Sequence, residues 1–107
     1  LYKQGFANEG NKIIQSLFKL STNLSAEIYP CIPEYFNLEN KGLYPYLTGS
    51  ASWLIHSLIS EIWGLKFSSG KITLAPKLVK DNFRYSKKIS LTINIKGKLI
   101  TLLYKNP

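Results

Sequence analysis

The chain has 107 residues, of which 45% are hydrophobic and 13% aromatic, and it carries a formal charge of +8. This length suits one small domain or a piece of a larger protein, and this apolar content excludes wholesale disorder. No apolar run approaches the roughly 18 residues that span a bilayer, and Cys31, the single cysteine, excludes a disulfide within the chain.

Phe6, Ile13, Ile14, Leu17 and Phe18 recur at helical spacing and predict a first helix from Phe6 to Leu20. Gly5 and Gly10 weaken its start, Asn8 is the expected cap, and Ser21, Thr22 and Asn23 end it. From Ser21 to Tyr46, three prolines (Pro30, Pro33 and Pro45) forbid a continuous helix, and Gly42 supplies a turn. This segment is nevertheless dense in Tyr, Phe, Ile and Leu, which fits a packed binding loop better than a free tether.

A second helix is expected from Ser50 to Trp63, with Thr48 or Ser50 as N-cap and Gly64 just past its end. Ala51, Leu54, Ile55, Leu58, Ile59 and Ile62 form one broad face, and a helix this apolar calls for burial on most of its circumference. A small fold has too little protein to surround it. The chain also begins at Leu1 and lacks Met, so we expect it to be a piece of a longer protein.

Beyond Gly64 the apolar period changes to two. Lys71 to Ala75 reads as a strand stopped by Pro76, and Asn82 to Tyr85 as a further strand. From Lys88 to Lys96 polar and apolar residues alternate without a break, with Ile89, Leu91, Ile93 and Ile95 on the inner face. Gly97 turns the chain, and Lys98 to Tyr104 returns antiparallel as a hairpin. Helices first and strands after make this an α+β chain.

Charge is uneven along the chain. Residues 1–53 hold four lysines against four glutamates, whereas residues 54–107 hold nine lysines and Arg84 against Glu61 and Asp81. Arginine is preferred for planar readout of bases and phosphates. The near absence of Arg favours a solvated, Lys-rich sheet face over a nucleic-acid interface. The expected partners include neither nucleic acid nor membrane, and the expected location, with one cysteine and no leader visible, is the cytoplasm.

Candidate chemistry is sparse. Thr48, Gly49 and Ser50 stand where a helix begins, and helix starts favour anions because their first N–H groups are unpaired. A phosphate or sugar hydroxyl fits there, as does an ordinary helix cap. His56 shares a helix side with Ser52 and Ser60 and reads as a hydrogen-bonded histidine; with no His/Cys cluster, no metal site is expected. Cys31 reads as a small buried side chain. Glu34 lies in the aromatic loop, where it is either a surface carboxylate or part of a pocket rim, beside tyrosines that either stack on sugars or pack inward.

Four runs together resemble a known family: Pro30 to Phe36 (PCIPEYF), Tyr46 to Trp53 (YLTGSASW), Glu61 to Leu65 (EIWGL) and Leu74 to Lys77 (LAPK). They are similar to the C-terminal part of glycoside hydrolase family 94, the cellobiose phosphorylase and glycosyltransferase 36 type. The resemblance covers nearly all of this chain and a small fraction of a family member. It implies that residues 1–66 are the last helical hairpin of an (α/α)6 barrel and residues 67–107 belong to a C-terminal antiparallel β domain.

The resemblance further implies inverting phosphorolysis of a β-linked glucoside to a sugar 1-phosphate, with inorganic phosphate as co-substrate and no cofactor. Thr48 and Gly49 would contact the phosphate, and Glu34 and Tyr35 would lie near the sugar. The family's catalytic Asp lies upstream of these residues, so the isolated chain is expected to be inactive, to need the N-terminal part of the barrel, and to form oligomers. The alternative is an independent α+β module that binds a glycan or an anion without catalysis.

Overall fold

A computed structural model describes residues 1–46 and 49–106. Among them the chain is mixed α+β, with two α-helices and three two-stranded antiparallel sheets. It divides into two compact units, residues 1–77 and residues 78–107, so the first strand pair after the helices belongs with the helices.

In the first unit, helix α1 spans Ala7–Ser21. Its cap is Phe6, and Asn8, the expected cap, lies inside the first turn. The reason is local: a 3₁₀ turn over Tyr2–Gln4 brings the Phe6 N–H to the Leu1 carbonyl (3.1 Å), and the Gly10 N–H then bonds the Phe6 carbonyl (3.0 Å). Gly10 weakens helix propensity, yet it makes room for Tyr2, since a Cβ there would stand 2.6 Å from the Tyr2 ring. The helix ends as expected, where the Thr22 hydroxyl donates to the Phe18 carbonyl (2.7 Å) and the Asn23 side chain accepts from the Ser25 N–H (3.0 Å).

The connection that follows is structured. A short antiparallel pair joins β1 (Tyr35–Phe36) to β2 (Gly42–Leu43), and between them Asn37 Oδ1 accepts the N–H groups of Glu39 (3.0 Å) and Lys41 (2.9 Å). This self-bonding is what Asn does in turns. Ile28 is buried and fills the space beside Gly42. Cys31, expected inside, is exposed; its N–H bonds the Ile28 carbonyl (2.8 Å) as part of a turn.

Helix α2 spans Ser50–Ser57 and continues as one π-helical turn over Leu58–Ile62, where the Trp63 N–H reaches the Leu58 carbonyl (2.9 Å). The expected single α-helix therefore changes winding half-way along. Gly64 ends it with φ +72°, and a Cβ there would lie 2.1 Å from the Ala75 carbonyl carbon. Only glycine combines that left-handed conformation with so close an approach. The strands β3 (Leu65–Ser68) and β4 (Lys71–Leu74) then pair, with Leu65 opposite Leu74. Beyond them, the Ala75 N–H bonds the Gly64 carbonyl (2.9 Å) and the Lys77 N–H bonds the Ile62 carbonyl (3.0 Å). These two bonds fasten the outgoing chain to the helix end.

The core of this unit is Tyr2, Ala26, Ile28, Leu54, Ile62 and Leu65. Most of the apolar helix surface lies outside it. Ile13 and Phe18 on α1, and Trp53 and Ile55 on α2, are exposed, so the all-round burial that so apolar a second helix calls for is not met within the described residues.

In the second unit, Lys80–Phe83 is a 3₁₀ turn where a strand was expected. Asn82 Oδ1 accepts the Val79 N–H (2.8 Å), and the Arg84 guanidinium donates to the Asp81 carboxylate three residues earlier. Short polar side chains here offer the backbone a local alternative to pairing. The hairpin is as expected: β5 (Lys88–Ile95) pairs with β6 (Lys98–Lys105), with Leu91 opposite Leu102 and Ile93 opposite Ile100. Burial alternates along β5, and on the other face the Thr92 and Thr101 hydroxyls bond across the strands at 2.9 Å. Lys96 and Gly97 both take positive φ, the requirement of a tight two-residue hairpin turn.

Candidate functional site

The phosphate contact implied by the resemblance, Thr48 and Gly49, is described only in part, because Thr48 lies outside the described residues. Gly49 is the N-cap of α2, with φ −79° and ψ −10°, and no side-chain hydrogen bond is made by the capping residue. The expected caps were the hydroxyl residues on either side of it. Gly49 is exposed, its carbonyl accepts the Trp53 N–H (2.9 Å), and a Cβ on it would meet the Trp53 indole at 3.2 Å. The capping residue is thus exposed, lacks a side chain and lies beside an exposed Trp, while Ser50 after it is half-buried.

Glu34 and Tyr35 lie at the β1–β2 pair. The Glu34 N–H bonds the Leu43 and Tyr44 carbonyls, both at 3.1 Å, while its side chain is exposed. The Tyr35 ring stands 6.0 Å from the Tyr44 ring at 39°, and Tyr29 and Tyr46 are also exposed. An exposed tyrosine ring presents a flat apolar surface with a polar tip. Hydrogen bonds and ring contacts among the described residues do not join this group to Gly49.

The densest polar constellation lies elsewhere in the same unit, on the π-helical turn. Glu61 is buried, and its two carboxylate oxygens meet two different lysines: Lys66 Nζ at 3.2 Å and Lys77 Nζ at 3.0 Å. Lys77 also donates to the Tyr2 carbonyl (2.7 Å), which ties the strand exit to the N-terminal turn. Burial alone pushes the Glu61 carboxyl up; the hydrogen bonds from Lys77 and Lys66 more than offset this, so it sits below its ordinary value. Burial pushes the Tyr2 phenol up, and its oxygen has no hydrogen-bond partner.

A cleft of about 430 Å³ opens beside this carboxylate, lined by Lys3, His56, Ile59, Ser60, Lys66 and Phe67 among others. His56 meets its expected partner, with the Ser60 hydroxyl 3.4 Å from Nε2, and its ring takes the Trp53 indole edge-on at 5.9 Å. A second cleft of about 350 Å³ shares Lys3 and Glu61 with the first. The sequence carried one signal for this region: a lone carboxylate on an otherwise apolar helix. The lysines that answer it lie on later segments that no spacing rule brings back. Among the described residues, no three His, Cys, Asp or Glu side chains are grouped to hold a metal ion.

No family model matches the chain, and no curated protein matches it. Among the described residues no helix is long and apolar enough to cross a membrane.

Proposed function

We propose that this chain is the C-terminal part of a carbohydrate-active phosphorylase of the cellobiose phosphorylase type. In this reading α1 and α2 are the closing helical hairpin of an (α/α)6 barrel, and the strands open a β domain. Polypeptide outside these residues supplies the catalytic Asp. The part played here is binding: the start of α2, at Thr48 and Gly49, holds inorganic phosphate, while the Tyr35 and Tyr44 rings border the sugar. The reaction of such an enzyme transfers the glycosyl unit to phosphate with inversion.

One observation carries this reading. Ile13 is 58% exposed on α1 and Trp53 is 69% exposed on α2, in helices whose apolar content calls for cover. Exposed apolar surface on this scale marks an interaction face. Gly49 supports the phosphate role, since it is exposed, carries no side chain and caps the start of a helix, where anions are favoured.

Sedimentation of the purified chain tests the first point. Concentration-dependent association is expected; a compact monomer that binds cello-oligosaccharides unaided would replace the reading with that of an independent glycan-binding module, which the exposed tyrosine pair would then serve. Titration with inorganic phosphate, read at the Gly49 and Ser50 amides, tests the second. Shifts there that vanish in Thr48→Val are expected, and unmoved signals overturn the phosphate role.

A further inference from the structure

The cleft beside Glu61 is not used by the proposed phosphorylase reading, and its composition is specific. Lys3 and Lys66 line it together with Glu61, and Lys77, which is not among the lining residues, also pairs with Glu61, so with Lys77 set against that carboxylate the two lining lysines carry two further positive charges. Lys77 is committed on one side to Glu61 and on the other to the Tyr2 carbonyl. Lys3 is exposed and lines the cleft, and Lys66, half-buried, lines it too with its Nζ 3.2 Å from Glu61. The hydroxyl of Ser60 and the imidazole of His56, 3.4 Å apart, add hydrogen-bonding capacity. Ile59, Leu65 and Phe67 supply an apolar wall, with Phe67 half exposed.

We propose that this cleft binds a small phosphomonoester, with its phosphate against Lys3 and Lys66 and its organic body on Phe67 and Ile59. A dianionic phosphate matches the charge of the two lining lysines; a carboxylate would satisfy half of it. Lysine serves as a point-charge phosphate ligand, and Ser60 can donate to a phosphate oxygen. The π-helical turn is what makes the wall, because it carries Ile59, Ser60 and Glu61 together into the cleft, and such turns recur at functional sites. Glu61 holds Lys66 in place and remains a carboxylate, so the site binds and does not donate a proton from that residue. The proposal stands without any role for Thr48 and Gly49.

The test is titration of the full chain with phenyl phosphate, read by amide chemical shifts, with phenol and inorganic phosphate as comparison probes. Shifts at His56, Ser60 and Phe67 are expected with phenyl phosphate and, more weakly, with phosphate, but not with phenol. Lys3→Gln should weaken phenyl phosphate by about tenfold, the usual loss of one charge-assisted hydrogen bond. Phe67→Ala should weaken phenyl phosphate while leaving inorganic phosphate unchanged. Lys96→Gln, in the hairpin turn of the other unit, should change neither. Equal losses in Lys3→Gln and Lys96→Gln would reduce the effect to general charge and overturn the proposal. So would phosphate shifts confined to Gly49 and Ser50, an outcome that leaves the phosphorylase reading intact.

Discussion

A buried carboxylate held by two lysines makes acid its natural weakness. Because the folded Glu61 sits below its ordinary value of 4.5, its contribution to stability is full above that value and is lost as pH falls through the lowered one. Removing the carboxylate leaves Lys66 and Lys77 facing each other. Because both lysines are partly exposed, Glu61→Gln is expected to cost about 2 kcal/mol at neutral pH, less than a fully buried pair would. The variant should also flatten the acid limb of the stability profile, measured by urea denaturation from pH 3 to pH 7. A steeper acid limb in the variant would show that Glu61 is not the group responsible. Gly64→Ala is more severe, since φ +72° and the Ala75 backbone both oppose a methyl group. A loss of about 3 kcal/mol is expected by the same denaturation assay.

At the scale of elements, the parts that were legible in the sequence are those whose pattern is local. Alternation in Lys88–Ile95 sets a strand because adjacent side chains point to opposite faces, and Lys96–Gly97 sets the register of its return. Gly64 announced the end of the second helix for an equally local reason. The failures came where competition or distance decides. Asn82 and Asp81 prefer bonds within their own turn to a strand ladder, and a strand at Leu65–Ser68 is defined by Lys71–Leu74 across the turn. Cys31 looks buried by residue type but sits in a turn on the surface. Of the candidate site, the helix start was readable from Gly49. The Glu61 network was not, because Lys77 arrives from beyond a hairpin, 16 residues later.

For the whole molecule, the uncovered helix faces govern behaviour in solution. The exposed side of α1 carries Ile13 and Phe18 with little of the chain packed against it, so replacing both with Gln should remove contact surface and little else. Stability is expected to change by less than about 1 kcal/mol, two surface substitutions' worth. Self-association, measured by sedimentation equilibrium, should fall. If folding is lost instead, those side chains are holding the fold rather than waiting for a partner. The charge of +8 works in the opposite sense, since mutual repulsion opposes association and weakens with added salt.

The π-helical turn at Leu58–Ile62 amounts to a phase offset in the winding of the second helix. Each residue advances an α-helix by about 100°, and the wide turn takes up one surplus residue without that rotation. Inserting an Ala between Ser57 and Leu58, with the wide turn kept, would add that rotation and swing the Glu61 carboxyl out of reach of Lys77. Circular dichroism should then report undiminished helicity while the acid-sensitive share of stability disappears. Such a mutant would separate the helix as a coil of hydrogen bonds from the helix as a pointer, since the offset aims the acid and contributes little to the winding.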